Sequence, residues 1–165
     1  MNRRGITLME LIIVMAIIAL GAVLMIPNIG AWIPSYRLRS ATRDVVSTMR
    51  VAQMKAVARN MDHRVTFRTA ERDYYIERRR APGGTEWDPI TVSDEVAPNP
   101  EAVRQVLPDG VQFDAVNFAG NRTEFNPNST ATGGNVVLRN SRGFQKRIIV
   151  SPTTGRIRIP KEGEE

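Results

Sequence analysis

Arg3-Arg4-Gly5-Ile6-Thr7-Leu8-Met9-Glu10-Leu11, running on into the apolar stretch IIVMAIIALGAVLMI of residues 12–26 and closed by Pro27, is the part of the chain that decides its architecture. Residues 6–26 carry a single charge, Glu10. As a helix at about 1.5 Å per residue they would span about 31 Å, close to the ~30 Å hydrocarbon core of a bilayer. Arg3, Arg4 and the α-amine favour a cytoplasmic N-terminus, and Arg37, Arg39 and Arg43 beyond the run offset that bias only in part. Pro27 lacks an amide hydrogen and clashes with the preceding turn, so an interruption of the helix is expected there.

Two processing schemes compete. In a secretory signal, Arg3 and Arg4 form the basic region, residues 11–18 the apolar one, and cleavage falls around Ala19 and Gly21. Glu10 argues against it, because a carboxylate in an apolar run costs insertion energy and serves no purpose in a segment that is discarded. Such a chain would be a soluble binding protein of the envelope.

The other scheme rests on likeness. The same residues, from Arg3 to Leu11 and on to Pro27, resemble the class III leader of type IV pilins and of type II secretion pseudopilins, departing from it at Ile6, where the family has Phe or Met. The resemblance implies cleavage between Gly5 and Ile6 by a membrane-bound prepilin peptidase and N-methylation of Ile6. It also implies a role for Glu10 in assembly with other pilins or pseudopilins. Physical chemistry agrees, since the new amine at Ile6 and Glu10 lie four residues apart on one helical face. Pairing between the amine of one subunit and Glu10 of the next would favour staggered packing of helices.

Beyond the apolar run, Leu38, Ala41, Val45, Met49, Ala52 and Ala56 recur at steps of three and four, the period of an amphipathic helix. Pro34 and Ser35 mark its expected start and Asn60 its end. Arg37, Arg39, Arg43, Arg50, Lys55 and Arg59 occupy the remaining faces. After Met61 the pattern turns to short strands, expected at residues 64–69, 73–79, 111–118, 135–139 and 147–151. They are separated by Pro82-Gly83-Gly84, Pro108-Asp109-Gly110, Gly133-Gly134 and Thr154-Gly155. The fold class is therefore α+β. The organisation is a leader at 1–5, a transmembrane helix at 6–30, an amphipathic continuation at 31–62 and a β-rich head at 63–165.

A second likeness lies in the C-terminal half. Phe125-Asn126-Pro127, Gly133-Gly134 before Val136-Val137-Leu138, Arg147-Ile148-Ile149-Val150-Ser151 and Thr154-Gly155-Arg156-Ile157-Arg158 resemble the head of the GspH/FimT family of minor pseudopilins and minor pilins. This implies a long helix packed on two small antiparallel β-sheets. It also implies an inner-membrane anchor with a periplasmic head, in an envelope of the Gram-negative type. The subunit would join a type II secretion pseudopilus or its tip, or else a type IV pilus, with secreted substrate or DNA among its partners.

The 165 residues carry a net charge of +6, with no cysteine and one histidine. Thiolate metal sites and cysteine nucleophiles are excluded, and His63, between helix and strand, reads as a structural residue. No phosphate loop, HExxH or GxSxG pattern is present, so the chain is read as non-enzymatic and without cofactor or metal. Asp94-Glu95 stands as an isolated acidic pair with too few oxygen ligands around it for calcium. Charge is segregated: residues 86–114 hold seven acids and one base, whereas residues 125–161 hold seven bases and no acid. Those bases are Arg139, Arg142, Lys146, Arg147, Arg156, Arg158 and Lys161. The first six are candidate DNA contacts, led by Arg156 and Arg158, which a strand would present on one face. Complementary contacts between neighbouring heads are the competing use of the same charge.

Overall fold

The computed structural model describes residues 7–160, and the side chains of all of these except residues 23–31. Its spine is α1, Leu8–Arg59, a single helix of 52 residues. It begins at Thr7, whose Oγ1 accepts from the Glu10 amide at 3.2 Å, and ends at Asn60 in the left-handed conformation, with φ 50°. Neither the interruption expected at Pro27 nor the start expected at Pro34 and Ser35 is seen, because α1 continues through both prolines. A proline removes one hydrogen bond from a helix that has many, and the turns on either side carry it across.

The two halves of α1 meet different surroundings. From Leu8 to Leu20 every large apolar side chain is at least half exposed, so this part buries nothing against the rest of the chain. Leu38, Ala41, Val45, Met49, Ala52 and Ala56, the residues picked out by the helical period, are all buried. Among the described residues no helix is long and apolar enough to cross a membrane. The apolar run of residues 6–26 starts before the described residues and ends among side chains that are not described.

Among the described residues nine strands form two antiparallel sheets. The first contains β1 (His63–Arg68), β2 (Asp73–Arg79), β3 (Trp87–Pro89), β4 (Gln105–Val106) and, after the first strand of the other sheet, β6 (Arg122–Phe125). Its order is β3-β2-β1-β6, with β4 continuing the β3 edge of β2. The second sheet, in the order β5-β7-β8-β9, contains β5 (Val111–Asn117), β7 (Gly134–Asn140), β8 (Gln145–Val150) and β9 (Ile157–Arg158). The short strands β3, β4, β6 and β9 have no counterpart in the sequence expectation, since two to four residues are too few to establish alternation.

Period-two alternation sends Val65 and Phe67 of β1, Val136 and Leu138 of β7, and Ile148 and Val150 of β8 into one core with the second half of α1. Phe67 anchors it, stacking on Phe118 with centroids 6.0 Å apart and meeting Phe113 edge-on at 5.7 Å. Gly134 permits the close passage of β7 beside the end of β5, since a Cβ there would stand 2.3 Å from the Asn117 carbonyl oxygen.

Candidate functional site

Gly5 and Ile6, the expected cleavage point, lie outside the described residues. Glu10 opens α1, exposed, in its first turn. Thr7 as N-cap with Glu10 three residues on is the Thr-x-x-Glu pattern of a capping box, a signal present in the sequence that the family likeness overshadowed.

The basic C-terminal residues fall into distinct places. On β7 and β8 the side chains opposite to the core include Arg139 and Arg147, and on β9 Arg158. The register pairs Val137 with Arg147 and Ile149 with Arg158, so Arg139, Arg147 and Arg158 are diagonal neighbours in turn, about 7–8 Å apart at each step. Arg156 lies just before β9, which contains only Ile157 and Arg158, and its carbonyl accepts from the Ser151 amide at 3.0 Å, carrying the pairing with β8 one step further. Lys146 pairs with Leu138 on the opposite face, and Arg142 sits in the β7–β8 turn.

Two other members of the Gly155-Arg156-Ile157-Arg158 motif serve the fold. Ile157 is buried beside Val150. Gly155 has φ +59° and its carbonyl accepts from Gln53 Nε2 at 3.2 Å. A Cβ there would lie 2.7 Å from both Gln53 Nε2 and the Ser129 carbonyl oxygen. A side chain here would meet both a left-handed backbone and the fixed Ser129 carbonyl, so the turn is built for glycine at this point.

The acidic stretch is mostly neutralised within the chain. Asp94, expected to stand in an isolated pair, is the centre of a cluster. Its side chain is 5% exposed and lies 3.4 Å from Lys55, 3.2 Å from Arg59, 3.5 Å from His63 and 3.4 Å from Arg78. Burial pushes its carboxyl up, but Lys55 and His63 outweigh that and hold it below the usual value. With three cations already around it, this carboxylate is no seat for calcium, and among the described residues no acidic or histidine group is arranged to hold a metal. His63 is fully buried, with Nδ1 2.8 Å from the Met61 carbonyl, and burial pushes its pKa down. Glu86 and Asp88 pair with Arg80, Glu101 with Arg68 and Arg104, and Asp114, at a bulge in β5, with Arg139 at 3.0 Å. Among the described residues Arg147, Arg156 and Arg158 form no ion pair.

A long helix that leaves residues 8–20 uncovered and seats its second half in the core of two small antiparallel sheets is the subunit plan of a pilin-like protein. The profile of the family described as type II transport protein GspH matches residues 41–154, and that of the prokaryotic N-terminal methylation motif matches residues 1–26. The chain belongs to the GspH family. No curated protein matches it significantly. Among solved structures it is similar to the minor pseudopilin EpsH from the type II secretion system of Vibrio cholerae. Two structures of that protein have TM-scores of 0.60 and 0.57 at 14% identity, covering 81% and 78% of this chain and 99% of that one. It is also similar to the type IV minor pilin FimU of Pseudomonas aeruginosa strain PAO1, with a TM-score of 0.53 at 13% identity, covering 77% of this chain and 90% of that one. At such identities these likenesses speak for the fold.

Proposed function

We propose that the protein is a minor pseudopilin of a type II secretion system, a non-enzymatic subunit that assembles through its N-terminal helix into a periplasmic pseudopilus or its tip. In this reading the chain is made as a prepilin, cut between Gly5 and Ile6 and methylated on Ile6. It is held in the inner membrane by residues 6–30, with the head at 63–165 in the periplasm. The observation that carries it is the joining, in one chain, of the methylation motif to a GspH head through one helix. Glu10, exposed at the start of that helix, is free to meet the amine of a neighbouring subunit. Mass spectrometry of the mature chain tests the first step: an N-terminus at methylated Ile6 is expected, and one near Ala19 or Gly21 would make the protein a signal-cleaved envelope protein. Glu10→Ala should be cut normally yet fail to crosslink to the other filament subunits, and normal crosslinking would overturn the pairing. A deletion should abolish exoprotein secretion while leaving surface pili and DNA uptake intact.

A second reading is a minor pilin that binds DNA for uptake. It is favoured by the diagonal of Arg139, Arg147 and Arg158 on one exposed sheet face with Arg156 beside it. Such a surface would bind the phosphate backbone without reading bases, and the affinity would fall steeply with salt. A gel shift at low salt that is lost in Arg156→Gln/Arg158→Gln supports it. Absence of binding by the wild type at low salt removes it.

A further inference from the structure

The end of the head from which α1 emerges carries aromatic and basic side chains that the assembly reading does not use. Trp32 and Tyr36, one turn apart on α1, are 68% and 61% exposed, and their rings stand 5.9 Å apart. Arg37 follows, and its guanidinium donates to the Asp109 carbonyl at 2.9 Å, tying this turn of the helix to the loop before β5. Arg39, one position past the buried Leu38, is exposed.

The same end receives the tip of the β7–β8 hairpin. Val111 pairs with Asn140, and a Cβ on Gly110 would touch Ser141 Oγ at 3.6 Å. At that tip Phe144 is 56% exposed. It is held outward by a built turn. The buried Asn140 accepts the amides of Arg142 and Phe144 on its Oδ1, each at 3.0 Å, and its own amide donates to the Phe144 carbonyl at 3.0 Å.

We propose that this end of the head rests on the outer surface of the membrane that anchors the chain. Trp32, Tyr36 and Phe144 would enter the headgroup layer, and Arg37 and Arg39 would face its anionic phosphates. The inference depends on the reading in which residues 6–26 span the bilayer. Its warrant is length and composition. Trp32 lies about 36 Å along the axis from Leu8 at ~1.5 Å per residue, or about 34 Å for a helix tilted by ~20°. That places Trp32 a few ångströms beyond a hydrocarbon core of ~30 Å, inside the headgroup layer where tryptophan concentrates. Tyr36, Arg37 and Arg39, about 6–11 Å further along the axis, would reach the same layer with side chains that slant back toward the helix N-terminus. Phe144, exposed on a built turn beside the loop that Arg37 holds, gives the head its own contact, so that the helix and the hairpin together would fix its height and tilt.

The test uses the full chain reconstituted in vesicles of phosphatidylcholine with phosphatidylglycerol. The chain has two tryptophans, so Trp87→Phe leaves Trp32 as the sole probe. Adding Trp32→Phe and Phe144→Trp moves the probe to the hairpin. Both probes should be quenched more by lipids brominated near the headgroup end of the acyl chain than by lipids brominated near its terminus. Both should also be shielded from aqueous iodide by about threefold or more relative to free indole in water. Flotation of the same vesicles separates the two readings. A chain that floats with both probes open to iodide overturns the proposal and leaves the membrane anchor standing. A chain that does not float overturns both. Shielding of Trp32 with the probe at position 144 fully open to iodide overturns the docked head.

Discussion

Asp94 shows how a single side chain can hold two elements together. It belongs to the loop after β3, yet its partners Lys55 and Arg59 are on α1 and Arg78 is on β2. Taking away one member of a buried charge cluster is worse than never having built it, because the remaining charges stay behind unpaired. Arg59 is largely in water, which discounts its share. Asp94→Asn should therefore cost roughly 2 kcal/mol of unfolding free energy, mainly through Lys55 and Arg78. Asp88→Asn, whose partner Arg80 is exposed, should cost far less; urea denaturation of the two variants checks the order. The pH dependence follows from the same cluster. His63 is pushed down by burial, so its contribution is present above 6.5 and is lost as pH falls through the lowered folded value. Asp94 is also lowered, so its contribution is present above the ordinary carboxylate value and is lost at still lower pH. The melting temperature should fall in two stages on acidification, and His63→Gln should remove the upper one. An unchanged slope between neutral pH and pH 5 in that variant would refute the assignment.

At the scale of elements, what could be read from the sequence depended on how many residues expressed the pattern. The buried stripe from Leu38 to Ala56 extends over several turns, and the strand expected at residues 73–79 coincides with β2. The strands at β1, β5, β7 and β8 were legible to within one or two residues. β9 was not, because its two residues take their strand character from pairing with β8 and not from any local alternation. The same shortness leaves Arg156 just outside the strand expected to carry it, and the place of Arg147 diagonal to Arg158 follows only from register, which no single segment specifies. Glycine tells a parallel story. Gly155 looked like a turn residue beside functional arginines, but its lack of a side chain is what lets the turn close on α1. Gly155→Ala should destabilise by about 2–3 kcal/mol, combining a left-handed backbone with a clash against the Ser129 carbonyl. Gly83→Ala, at φ +72° with open space around it, should show the backbone cost alone, about 1 kcal/mol. Equal losses in chemical denaturation would mean that the turn moves freely off the helix.

Taken as a whole molecule, the charge distribution bears on how heads would meet in a filament. The segregation in sequence suggested an acidic patch on one head facing a basic one on the next. In the fold, five of the seven acids of residues 86–114, namely Glu86, Asp88, Asp94, Glu101 and Asp114, already pair with bases of their own chain. Little negative surface is left to receive Arg147, Arg156 and Arg158. The exposed apolar side chains of the head are Val92 and Val96 in the loop after β3, Val106 in β4, Phe144 in the β7–β8 turn and Ile159 after β9, and apolar residues exposed singly are usual on a monomer's surface. Among the described residues the core, in turn, starts at Leu38 and takes nothing from the first half of α1. A fragment of residues 31–165 should therefore fold, unfold cooperatively and remain monomeric. Circular dichroism with urea tests the first two points and sedimentation the third, at low and at moderate salt. Monomer at both would leave the N-terminal helix as the element that holds copies together. A dimer at low salt that dissociates as salt is raised, and is lost in Arg147→Gln/Arg158→Gln, would show instead that the heads themselves are complementary.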